Sequence, residues 1–211
     1  MIYVYAITDR PGTPLPRPAL REAVRDDLAV VFSADAPAAD PTAEALWDHE
    51  DVVEALMRSR TVLPMRFGTR LRDEEAAVAL MSDRRPEFAR RIEGVRGRVE
   101  LGVRVSGRSP ASVADDRPAT GTEYLTRRLG ARRERDQVAA AVHEPLARLA
   151  DRSSRSRSAR SGEVLTASYL LPDDRVSVFA HEVKQLQERH PELALTCTGP
   201  WPPYSFVEEE S

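Results

Sequence analysis

The sequence predicts an α+β protein built from two domains. Segments with the period of strands and segments with the period of helices alternate along its 211 residues. The clearest strand lies at Arg98–Val105, where valine and leucine take every second position. The chain ends in a stretch rich in proline and aromatic residues, which neither a helix nor a central strand accommodates. We therefore expect an N-terminal α/β domain over residues 1–95, a second domain over 96–199, and a tail over 200–211.

The N-terminal half reads as strand, strand, helix, strand and two short helices. Asp40 and Pro41 suit a helix start, with Asp40 as the N-cap and Pro41 in the first turn. The expected elements are strands at Ile2–Ile7, Leu28–Phe32 and Val62–Phe67, and helices from residue 41 to about Ser59, at Asp73–Met81 and at Pro86–Glu93.

The second half continues as strand, long helix, strand, helix and strand. We expect the long helix at Thr122–Leu149, a strand at Val164–Leu171, a helix up to His190 and a strand at Leu193–Cys197. This order is three-quarters of a ferredoxin-like βαββαβ unit, with one strand missing or hidden near residues 151–162. That stretch is rich in serine and arginine. It carries no aromatic residue that would stack on a base, so a connecting loop is favoured over an RNA-binding arm.

The first predicted helix carries the one histidine that invites a catalytic interpretation. An apolar face of this helix would contain Leu46, His49, Val53, Leu56 and Met57. A general base beside Glu50 or Asp51 is one interpretation of His49. No serine, cysteine or second histidine lies near it in sequence, so we favour a core histidine bonded to a backbone carbonyl or a neighbouring side chain.

The strand after this helix holds a second candidate. Within Val62–Phe67, Arg66 would point away from Met65 and Phe67. It would bind an anion or, as we favour, pair with a carboxylate of the preceding helix or of the tail. Gly68 follows at a position that suits a tight turn.

The C-terminal stretch should be a stiff, docked arm. Three of the four residues 200–203 are proline, which restricts the backbone before docking. Trp201, Tyr204 and Phe206 bring three large rings, and each would bury on the order of 150–250 Å². We expect the arm to fold back on the body of the protein.

Composition limits the function classes. Formal net charge is −3 and 31% of residues are charged, which disfavours a nucleic-acid partner. Cys197, the single cysteine, excludes an internal disulfide and is expected to be buried and inert. No phosphate-binding glycine loop, paired metal-ligand spacing or nucleophile elbow is present, so we predict no catalytic residue, metal or cofactor. No signal peptide or membrane-spanning segment is expected, and no small-molecule substrate.

Four stretches carry a resemblance to a known family. Val62–Thr69 (VLPMRFGT), Asp48–Leu56 (DHEDVVEAL), Val99–Val105 (VELGVRV) and Gly199–Phe206 (GPWPPYSF) are similar to stretches of the gas vesicle protein F/L family, in the same order. The resemblance spans nearly the whole chain. It implies an unusual α/β N-terminal half, a modified ferredoxin-like C-terminal half and a tail packed on the N-terminal half.

The resemblance also implies a function. Members are accessory, minor components of gas vesicles that assist assembly by interacting with the small hydrophobic shell protein, and other accessory proteins are further partners. The expected location is the gas vesicle, with the cytoplasm before assembly. An RNA-binding ferredoxin-like module is the alternative, and it requires exposed aromatic residues on a basic sheet face. A hidden enzyme centred on His49 would require an acid and a cavity beside it.

Overall fold

A computed structural model describes residues 1–34, 42–107, 121–156 and 162–207. The chain divides into two compact units. The first comprises Met1–Val99 together with Trp201–Ser211, and the second comprises Glu100–Pro200. Each unit contains one sheet, and both sheets are antiparallel within a mixed α/β fold.

The sheet of the first unit is organised around its first strand. The strands are β1 (Ile2–Asp9), β2 (Leu20–Arg25), β3 (Leu28–Ser33), β4 (Val62–Pro64) and β5 (Arg70–Leu71). Their order is β2-β3-β1-β4, and β5 pairs with the start of β1. Every residue of β1 is buried because neighbouring strands flank it and helices cover both faces of the sheet. Sequence patterning did not predict β2 and β5, which are short, polar and peripheral.

Helix α1 (Ala43–Met57) covers one face of this sheet. On the other face, α2 (Glu74–Asp83) contacts β2 and β3, and α3 (Arg85–Val95) contacts β1 and β4. The core beneath α1 consists of Tyr3, Tyr5, Ala6, Leu20, Val31, Val52, Val53, Leu56 and Val62.

The start of α1 differs from the expectation. Thr42 is the N-cap, and its hydroxyl accepts a hydrogen bond from the Ala45 amide at 3.2 Å. Asp40 and Pro41 lie outside the described residues. The buried stripe is also rotated from the predicted one, because it includes Ala45 and leaves Leu46 40% exposed.

A buried ion pair in the first unit joins Arg60, which precedes β4, to Glu22 of β2. The guanidinium of Arg60 donates to the Glu22 carboxylate, to Thr8 Oγ1 at 3.3 Å and to the Thr13 carbonyl at 2.5 Å. The other oxygen of Glu22 accepts from the Gly12 amide at 3.0 Å. The Arg60 side chain has no exposed surface, so its charge depends on this counter-ion.

The second unit has the element order strand, helix, strand, strand, helix, strand. Its elements are β6 (Arg98–Gly107), α4 (Gly121–Leu149), β7 (Arg152–Ser156), β8 (Glu163–Pro172), α5 (Val176–Arg189) and β9 (Leu193–Trp201). The sheet order is β7-β8-β6-β9. The two helices bury one face of the sheet in a core that includes Val103, Val142, Leu146, Tyr169 and Phe179.

Two expectations for this half are wrong: the connecting loop over residues 152–156 and the burial of Cys197. Arg152–Ser156 is an edge strand paired with β8, so the strand hidden near the Ser/Arg stretch is found there. An edge strand tolerates a polar sequence because solvent covers one side of it. Residues 157–161 lie outside the described residues. Cys197 is exposed, and it lies on the edge strand β9, whose residues from Thr196 to Trp201 are all exposed.

We predict that the buried pair of Arg60 and Glu22 matters far more for stability than a surface pair. Glu22→Gln should lower the free energy of unfolding by about 3 kcal/mol, because the Arg60 charge is left buried without its counter-ion. Asp48→Asn is the matched control. It breaks the exposed pair with Arg17, 2.6 Å apart, and should cost less than about 1 kcal/mol. Urea denaturation measures both, and equal losses would contradict the prediction.

Candidate functional site

A chain of hydrogen bonds joins β1, α1 and the turn after β4. The Gly68 amide donates to the Tyr3 hydroxyl oxygen at 3.2 Å, and that hydroxyl lies 2.8 Å from His49 Nδ1. On the other side of the ring, His49 Nε2 lies 3.0 Å from the Met65 carbonyl oxygen. A carbonyl only accepts, so Nε2 carries the proton and donates it. Nδ1 therefore accepts the hydroxyl proton of Tyr3.

This assignment makes His49 a neutral structural residue. It is 1% exposed, and burial lowers the pKa of its imidazole, which the Met65 carbonyl and Asp48 only partly offset. Burial raises the pKa of Tyr3. Both ring nitrogens are engaged, and the rings of Tyr3, Tyr5 and Phe67 surround the imidazole with centroids 5.4–5.9 Å away. The prediction of a core histidine bonded to a carbonyl and a side chain is confirmed.

The strand expected over Val62–Phe67 ends at Pro64, and a turn follows. Thr69 closes this turn, because its amide and its hydroxyl both donate to the Arg66 carbonyl, at 3.1 and 2.7 Å. Gly68 takes φ +86°, so the prediction of a tight turn at this glycine is confirmed. Because the alternation of a strand stops at Pro64, Met65 and Arg66 lie along the same groove instead of on opposite faces. The expected carboxylate partner of Arg66 stays a prediction.

The C-terminal tail belongs to the first unit from Trp201 onward. It is not the uniform polyproline arm that the sequence predicts: β9 continues to Trp201, and Tyr204–Phe206 form a 3₁₀ turn. Phe206 is 5% exposed, whereas Trp201 remains 37% exposed. Trp201 is therefore only partly buried, whereas Phe206 is packed into the first unit.

Tyr204 places the tail against α1. Its hydroxyl is buried, and among the described residues no group satisfies it with a hydrogen bond of normal geometry. Burial raises the pKa of Tyr204, and the nearby carboxyl of Glu50 raises it further. Burial likewise raises the pKa of Glu50. The residue next to His49 on α1 therefore meets the tail.

A groove of about 230 Å³ is lined by Ile7 and Leu63. These two residues are paired and alternate with Ala6 and Val62, which pack with α1, so the groove lies on the side of the sheet opposite α1. Its walls come from β1, β4 and the following turn, from α2 and α3, and from the end of the described tail. The apolar lining is Ile7, Leu63, Pro64, Met65, Leu80, Phe88 and Val207.

The rim of the groove is basic. Arg66, Arg84 and Arg91 line it, and no carboxylate is among the described residues of the lining. Glu87 holds Arg91 at 2.6 Å and also pairs with Arg84, while the Arg84 guanidinium stands 5.2 Å from the centre of the Phe88 ring. The groove therefore combines an apolar lining with a rim of three arginines, two of which share the Glu87 carboxylate.

The hydrogen-bond chain and the groove are connected through one residue. Met65 accepts from His49 through its backbone and lines the groove. Helix α1 thus fixes one wall of the groove from the opposite face of the sheet.

Sequence reasoning found His49, Arg66 and Gly68 but missed the rest of this site. Leu80 lies on α2, Arg91 lies on α3, and Arg84 is the cap residue between the two helices. The recurrence of arginine at positions 84 and 91, two turns apart, is a signal that would have found the rim. Within the described ranges no cluster of three metal-ligating side chains occurs, and no helix there has the length and apolarity needed to cross a bilayer.

Comparison with known proteins defines first the class of this fold. It matches the crystal structure of the gas vesicle protein GvpF from Anabaena with a TM-score of 0.86, at 20% identity, over 100% of this chain and 97% of that chain. It also matches GvpF from Microcystis aeruginosa, with a TM-score of 0.78 at 17% identity over 98% of both chains. At these identities the likeness establishes the fold alone, a mixed α/β fold with two antiparallel sheets.

The chain belongs to the family described as "Gas vesicle synthesis protein GvpL/GvpF", whose sequence profile matches residues 1–208. It is 36% identical to gas vesicle protein L of a Streptomyces strain over 189 residues, covering 80% of this chain and 70% of that protein. It is 29% identical to gas vesicle protein F of the same strain over 236 aligned positions, covering 98% and 99%. The resemblance found in the sequence is confirmed.

We predict that His49 makes stability fall in mild acid. The folded pKa of His49 is lowered, so below about pH 6.5 the unfolded chain binds more protons and stability decreases until the folded pKa is reached. His49→Gln should remove this part of the pH dependence. The lowered pKa of His143 also makes stability fall in acid, whereas the raised pKa of Glu50 has the opposite effect. The contribution of His49 is therefore the free energy of unfolding of wild type minus that of His49→Gln, followed as a function of pH. If the free energies of unfolding of wild type and His49→Gln changed by the same amount between pH 7 and 5, the prediction would be wrong.

We predict that the tail stabilises the first unit through Phe206. Phe206→Ala should lower the free energy of unfolding by about 3 kcal/mol, because a fully packed ring is lost. Trp47→Ala is the control, since its ring is 67% exposed and its removal should change stability by less than about 0.5 kcal/mol. Chemical denaturation measures both, and an unchanged midpoint for Phe206→Ala would refute the docking role.

Proposed function

We propose that this protein assists gas vesicle assembly by binding the small hydrophobic shell protein before or during its incorporation. Membership of the GvpL/GvpF family supports a role in gas vesicle formation. The groove between β4, α2 and α3 is the observation that supports direct binding of an apolar segment.

The physical need for such a partner is clear. A shell subunit with one face built to meet gas would aggregate in water, and a protein that covers part of this face would suppress aggregation. A groove floored by seven apolar residues is suited to a protruding apolar side chain of that face. Other accessory proteins of the vesicle are further partners in this proposal.

The finer architecture is part of the proposal. The element order of the second unit and its sheet order β7-β8-β6-β9 support a modified ferredoxin-like domain. The division into 1–95, 96–199 and a tail is kept as a proposal. We place the protein in the cytoplasm before assembly and at the vesicle during it.

The alternative of an RNA-binding module has little support. It requires two or three exposed aromatic residues on the sheet of the second unit. Among the described residues of β6–β9, Tyr169 is buried and Trp201 is the one exposed aromatic.

We predict that a charge placed in the groove weakens capture of the shell protein. After co-expression and affinity capture of this protein, Leu80→Asp should retain at least about 10-fold less shell protein, as expected for a central contact of an interface. Val178→Asp is the matched control, because Val178 is 55% exposed on the other unit. Capture by wild type should change little between low and high salt, since apolar contact dominates.

Two results would overturn the proposal. Absence of the shell protein from the capture at either salt, together with normal vesicles in a deletion strain, would refute the assembly role. Recovery of nucleic acid that disappears at high salt would instead favour the RNA-binding alternative, because counterion release makes such binding steeply salt-dependent.

A further inference from the structure

Helix α1 presents an exposed tryptophan between carboxylates. Trp47 is 67% exposed, and Glu44 and Asp51 are its neighbours three residues before and four residues after, on the same line of the helix. The whole helix contains five acidic residues and no lysine or arginine. An apolar ring with negative charge on both sides therefore stands out from this face.

This feature is the chemical complement of the groove. The groove has an apolar floor and three arginines at its rim, and its volume of about 230 Å³ is of the scale of one large aromatic side chain. Carboxylates beside the ring would meet the arginines when the ring enters, and the arginines would stack on the ring or contact its edge.

We infer that the protein associates head to tail with a second copy of itself, with Trp47 of one copy seated in the groove of the next. The ring and the groove lie on opposite faces of the same sheet, so one molecule does not fill its own groove with its own Trp47. The contact is heterologous: a pair of copies leaves one tryptophan unused on one copy and one groove unused on the other, so the association is open-ended.

The association uses the same groove as the proposed function. The association itself does not depend on that function, but its role as a cover of the groove rests on the proposed function. Trp47 of a second copy of the protein covers the apolar groove until a segment of the shell protein displaces it. The contact area of one ring and its neighbours is below that of a stable complex, so the association is weak and concentration-dependent. It also weakens as salt rises, because the flanking charges are exposed.

The test uses two variants, each of which removes one half of the contact. Trp47→Asp removes the ring and Leu80→Asp removes the apolar floor. Trp47 is 67% exposed and Leu80 is partly buried, and the melting temperature of each variant is measured to show that it is folded. In sedimentation equilibrium across a concentration series, wild type should show open-ended association, and each variant should associate at least about 10-fold more weakly.

The mixture of the two variants gives the decisive result. Trp47→Asp keeps an intact groove and Leu80→Asp keeps an intact ring, so an equimolar mixture should form one-to-one dimers and nothing larger. Val178→Asp, in the second unit, should associate like wild type. The inference is overturned if wild type stays monomeric at every concentration, if Trp47→Asp associates normally, or if the mixture stays monomeric. Shell-protein capture is a separate measurement: wild type that stays monomeric at every concentration but still captures the shell protein overturns this association and leaves the proposed function standing.

Discussion

The hydrogen-bond chain through Tyr3 and His49 is the constraint on which the first unit depends. It satisfies two polar side chains that burial would otherwise penalise, and it does so with backbone groups of a single turn. The turn therefore has to lie where the amide of Gly68 and the carbonyl of Met65 point inward. One buried imidazole thus fixes the distance between β1, α1 and the segment after β4, and the groove inherits its wall from that arrangement.

The parts of the fold with strong periodicity were predictable from the sequence. Arg98–Val105 alternates, and the structure extends this strand to Gly107. Short elements were not predictable, because β2 (Leu20–Arg25) has a polar pattern and gains its place from pairing with β3. The same holds for Arg152–Ser156, whose serines and arginines suit an edge that only tertiary pairing identifies.

The buried histidine and the turn glycine of the site were predictable from the sequence, whereas the residues that line the groove were not. His49 stands on an apolar stripe and Gly68 follows a strand, so each could be assigned from local sequence alone. The groove needs residues from two other helices and the tail, which are brought together only by the sheet. Cys197 shows the same limit: its strand-like setting suggested burial, but β9 is an edge strand that is exposed from Thr196 onward.

The rotation of α1 explains why the tryptophan is outside. His49 has to face the turn after β4, and Val52, Val53 and Leu56 fill the adjoining core. With the helix held in this orientation, Leu46 and Trp47 are left toward solvent. An exposed indole gains free energy when a partner surface buries it. The carboxylates around Trp47 would repel an acidic partner surface and attract a basic one. A requirement of the core, the neutral hydrogen-bonded histidine, therefore creates the surface feature that the arginine-rimmed groove on the opposite face complements.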